Sequence, residues 1–199
     1  MMAAVAAAPA LAHHVGAYTV RDNAVSANFK QIKFSLQAGK FDVALRLFEE
    51  GALRKELLVQ ATRLPGELDD LVRTALRARD PKRAEAGLAL FFAALGRDLA
   101  LEADGRLAEP GTSADVKAAA GARFLDAIWR YWNLIDFAVS ERDPKAAVAM
   151  RLAFEEAEGS AKRVSTTADP TGLRASLARI ADTLSRIIQT LSATTRRNS

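Results

Sequence analysis

Apolar residues recur at intervals of three and four along most of this chain, with polar residues between them. This is the spacing of one face of an α-helix, so each run predicts a helix that buries one side. The first run places Val25, Phe29, Ile32 and Leu36 on one face. Runs of β-branched residues, which favour strands, are almost absent, whereas alanine, leucine and arginine are abundant. We therefore expect an all-α protein.

The pattern predicts about seven helices. Their approximate bounds are 22–38, 42–64, 67–79, 80–102, 113–142, 144–157 and 170–195. Asp22 is the expected cap of the first helix, and Gly51 marks either a break in the second or a close contact with another helix. Turn-forming residues accumulate at 103–113 and 159–167, so we expect both segments to be loops.

One segment of the chain is repeated. Residues 71–96 and 134–159 are identical at 11 of 26 positions at a constant offset of 63, and both contain RDPK. In this motif the aspartate (Asp80 or Asp143) suits the N-cap of a helix. The proline suits its first turn, where a missing N–H costs nothing. A third Asp-Pro pair, at 169–170, precedes the last helix.

The duplicated helix-RDPK-helix unit predicts how the helices are arranged. Repeats of this size are usually one supersecondary unit stacked on its copy. We expect a single domain over residues 22–195 whose helices form antiparallel hairpins, either as a bundle or as a short helical-repeat array.

The last helix carries a regular apolar seam. Leu173, Leu177, Ile180, Leu184, Ile187 and Leu191 are spaced alternately by four and three residues, which is a heptad pattern. The seam either closes the bundle or pairs with another protein or a second copy of the chain. In the second case Leu177, Leu184 and Leu191 would form the interface. Nearly three heptads is short for an independent coiled coil, which favours closure of the bundle.

Two tryptophans lie close together in the fifth predicted helix. Trp129 and Trp132 fall on adjoining parts of one helical face, and Asp126 and Arg130 have the spacing of an ion pair. Tryptophan is common both in cores and in binding pockets. Their spacing on one face is what a thick core requires, so we expect both to be core residues. A ligand pocket at Trp129 and Trp132 is the alternative.

Composition argues against most catalytic sites. The chain has no cysteine, its only histidines are His13 and His14, and it has no glycine-rich phosphate loop. Residues 161–199 hold seven basic and two acidic residues but no aromatic side chain for base stacking. We expect a solvated basic face rather than a nucleic-acid site, and a protein that is not an enzyme.

The N-terminal segment resembles part of an export signal. Residues 1–20 carry no Lys, Arg, Asp or Glu, and Ala10-Leu11-Ala12 fits the small-x-small pattern of a signal-peptidase site. A basic start is absent, so we interpret residues 1–12 as a truncated signal peptide and residues 13–21 as an extended segment. The alternative is an alanine-rich cytoplasmic N-terminus. No later segment has the continuous apolar length of a membrane span.

Cleavage after Ala12 would make His13 the first residue. A terminal amine beside the imidazoles of His13 and His14 is a ligand set suited to Cu(II). The sequence therefore predicts a non-enzymatic binding or accessory protein that is exported to the periplasm or secreted. It also predicts that this protein binds copper or another transition metal at His13 and His14. The alternative is a cytoplasmic helical-repeat adaptor that binds another protein or forms a homodimer.

Overall fold

The computed structural model describes residues 23–197, and side-chain positions to residue 193. That part of the chain contains eight helices and no strand, which confirms the all-α prediction. The helices are α1 (Ala24–Gln37), α2 (Phe41–Glu50), α3 (Ala52–Val59), α4 (Leu68–Arg77), α5 (Pro81–Ala108), α6 (Ala114–Arg142), α7 (Pro144–Thr167) and α8 (Thr171–Arg197).

The four long helices α5 to α8 form a closed bundle. Each packs on the next along the chain, and α8 packs back on α5. Turns of one to five residues join them, so neighbouring helices are antiparallel. The shorter helices α1 to α4 lie outside the ring. Of these, α4 has the most extensive contact with α5, and a Cβ on Gly87 of α5 would lie 2.5 Å from Leu71 Cδ2 of α4.

The apolar seam of α8 faces the inside of this bundle. Leu177, Leu184 and Leu191 are all buried, and α8 is the helix that closes the ring. Leu184 packs over Gly96 of α5, where a Cβ would lie 3.3 Å from Leu184 Cδ1. The seam therefore closes the bundle, as its length of nearly three heptads favoured. These three leucines are not on the surface for a second chain to contact.

Both RDPK motifs begin a long helix in the way that the sequence predicts. Asp80 accepts a hydrogen bond from the backbone N–H of Arg83 (3.0 Å), and Asp143 accepts one from Ala146 (2.9 Å). Each proline occupies the first turn of its helix, α5 or α7. The two helix starts thus share one local structure, while the common origin of the two repeats stays a prediction.

The predicted second helix is two helices, which is why eight are observed where about seven were expected. Gly51 separates α2 from α3, and Asn28 of α1 bridges the break. Asn28 Nδ2 donates to the Leu47 carbonyl oxygen, Asn28 Oδ1 accepts from the Leu53 N–H, and both distances are 3.0 Å. One buried side chain thereby satisfies the end of one helix and the start of the next.

Four predicted boundaries were wrong. The second predicted helix was expected to reach residue 64, but α3 ends at Val59 and a turn follows. Helix α7 continues through residues 159–167, predicted to be a loop, because Ser160 and Val164 extend its buried face. Helix α5 likewise continues to residue 108, because Ala103 and Leu107 are buried while Gly105 faces solvent. The cap of α1 is Asn23, whose Oδ1 accepts from the Ser26 N–H at 2.8 Å, rather than Asp22.

Candidate functional site: a groove between α6 and α7

The two tryptophans have different environments. Trp132 is 1% exposed and lies in the core of the bundle, whereas Trp129 is 38% exposed. Three residues turn a helix by about 300°, so the two side chains point roughly 60° apart. That angle directs Trp132 to the centre of the bundle and Trp129 to the boundary with α7. Trp132 therefore has the core role that the sequence favoured, and only Trp129 is part-exposed.

The indole of Trp129 is fixed against α7. Its ring lies edge-on to Phe154, with the ring centroids 4.8 Å apart and the planes at 72°. Phe154 is itself buried, so it supplies a firm support for one side of the indole. This edge-to-face geometry is a favoured arrangement of aromatic pairs. The remaining surface of Trp129 is presented in a defined orientation.

Beside Trp129 there is a groove of about 400 Å³. Its walls are mainly apolar, and several positions carry alanine where a larger side chain would fill the space. The lining residues are Ala118, Ala122, Leu125, Asp126 and Trp129 of α6, and Glu158, Ala161 and Lys162 of α7. From Ala118 to Trp129 the groove follows α6 for roughly 16 Å, at 1.5 Å per residue.

One ion pair joins the two helices beyond the Trp129 end of the groove, about 10 Å further along α6. Arg151 of α7 donates to both carboxylate oxygens of Asp136 on α6, each at 2.9 Å. Within α6, Asp126 pairs with Arg130, as its spacing predicted. Glu158 and Lys162 place one acidic and one basic side chain on the α7 rim. The groove is thus apolar along its walls and carries charges of both signs at its edges.

Among the described residues, two of the three shifted pKa values mark contacts that position α8, and the third, a pKa raised at Arg54 by its hydrogen bonds to Asp69, marks the contact of α3 with α4. Hydrogen bonds from the hydroxyl and backbone N–H of Thr171 lower the pKa of Asp169 at the start of α8. The bidentate contact of Arg174 with Asp104 of α5, at 2.7 and 3.2 Å, raises the pKa of the Arg174 guanidinium. Both groups have structural partners, so neither shift indicates an acid or base poised for catalysis.

The other sequence-predicted site lies elsewhere. His13 and His14 are outside the described residues 23–197. Within that range no three His, Cys, Asp or Glu side chains are grouped as a metal site would require. None of the helices in the same range combines the length and apolar character needed to cross a membrane.

The alanines of the groove carried no distinctive signal in the sequence. Ala118 and Ala122, one turn apart on α6, and Ala161 on α7 line the groove beside Trp129. Because alanine is common throughout the chain, their spacing does not distinguish them from the other alanines. The usable signal was the combination of small residues at a four-residue interval with a tryptophan two turns further along the same face.

Searches against protein-family models, curated proteins and solved structures found no match to this chain.

Proposed function

We propose that the protein is a non-enzymatic helical binding protein that recognises another protein through the groove between α6 and α7, with Trp129 as the anchor. The observation that carries this proposal is the part-exposed indole of Trp129, fixed by Phe154 at the edge of an apolar groove. Tryptophan is among the residues that contribute most to protein interfaces.

The groove suits a protein segment for two physical reasons. Its small side chains allow an apolar partner residue to approach the backbones of α6 and α7 closely. Ordering a free side chain at an interface costs about 0.5–1.5 kcal/mol. Because Trp129 already packs against Phe154, binding would cost less side-chain entropy than this. An elongated groove along a helix is also the kind of surface that accepts the apolar face of a partner helix.

In-host photo-cross-linking tests whether the groove contacts a partner. We expect p-benzoylphenylalanine at position 162, on the exposed α7 rim of the groove, to give a discrete adduct with one protein. The same residue at position 116, exposed on α6 but outside the groove, should not give it. Adding Trp129→Ala to the position-162 variant should greatly reduce the adduct. Equal adducts from both positions, or none from position 162, would contradict the proposal.

A second function is favoured by the N-terminal sequence. Ala10-Leu11-Ala12 is followed at once by the chain's only histidines, His13 and His14. We propose export of the protein, cleavage after Ala12 and Cu(II) binding by the new terminal amine with the imidazoles. The alternative is a cytoplasmic adaptor that retains its N-terminus and uses only the groove.

The mass of the intact protein from its own host separates these alternatives. Export predicts a chain that begins at His13, and that chain should bind one Cu(II) with a saturable change in visible absorption. A matched control with His13 and His14 both replaced by alanine should lose most of the affinity. A mass that includes Met1 or Met2 would exclude the copper site, as would a titration without saturation.

A further inference from the structure

We draw no further inference here: the strongest candidate, the apolar cleft between α1, α5 and α6 with the exposed Phe137 at its mouth, is an unpartnered surface, and nothing in the structure shows what covers it.

Discussion

Replacing Leu184 with glutamate is expected to unfold the four-helix bundle. Leu184 is 1% exposed and packs over Gly96, so the variant would place a carboxylate among apolar side chains. Truncating a buried leucine to alanine already costs about 2–5 kcal/mol, and a buried unpaired polar group adds to that loss. A domain of this kind is stable by only about 5–15 kcal/mol in total. We therefore expect the loss of most of the unfolding free energy.

Urea unfolding followed by circular dichroism at 222 nm measures this effect. The matched control is Leu101→Glu, at a leucine of α5 that is 57% exposed. That change should alter the unfolding free energy by no more than about 0.5 kcal/mol. If the seam of α8 were instead an interface between chains, Leu184→Glu would give a monomer that keeps its helicity and stability. That result would contradict the closing role of α8.

Replacing Gly51 with alanine is expected to destabilise the layer formed by α1 to α4. The backbone of Gly51, with φ −82° and ψ 171°, suits any residue, so the penalty is steric. A Cβ there would clash with Asn28 Oδ1 and with the Leu47 carbonyl oxygen. Asn28 would have to leave its position and abandon both hydrogen bonds. Each buried group left unsatisfied costs about 1–3 kcal/mol.

We expect Gly51→Ala to lower the unfolding free energy by about 2–5 kcal/mol, measured by urea unfolding. Gly105 provides the matched control, because it lies inside α5 with nothing within 4 Å of an added Cβ. Gly105→Ala should stabilise the protein by about 0.5–1 kcal/mol, since alanine favours the helix. Equal effects from the two substitutions would show that Asn28 and Gly51 do not form the contact described.

Local patterns predicted much of this fold. The intervals of three and four gave the buried faces of most helices, including the six seam residues of α8, all of which are buried. The Asp-Pro pairs gave the starts of α5 and α7 because a cap depends on residues three positions apart. These features are decided within a few turns of chain, so a sequence carries them directly.

Contacts between distant residues could not be predicted in the same way. Residues 159–167 have the composition of a loop, yet they are helical because α8 packs against them; a Cβ on Gly172 would lie 3.3 Å from Ser160 Oγ. Asn28 bonds to Leu53, 25 residues away. Such contacts depend on tertiary packing, which overrides local preference.

The candidate site was only half predictable for the same reason. Periodicity placed Trp129 and Trp132 near one another on α6, but whether each is covered depends on the neighbouring helices. Trp132 faces the centre of the bundle, and Trp129 meets the alanine-lined groove beside α7. A single sequence gives the direction of a side chain on its own helix better than it gives the size of the residues opposite.

The most direct test of Trp129 as the anchor for a partner protein is the dissociation constant between this protein and the partner that position 162 captures. Isothermal titration should compare the wild type with Trp129→Ala and with Leu152→Ala, an exposed residue of α7 outside the groove. An anchor residue contributes about 2 kcal/mol or more, so Trp129→Ala should weaken binding by roughly 30-fold or more. Leu152→Ala should change it less than about twofold. Equal affinity of the wild type and Trp129→Ala would contradict the proposal.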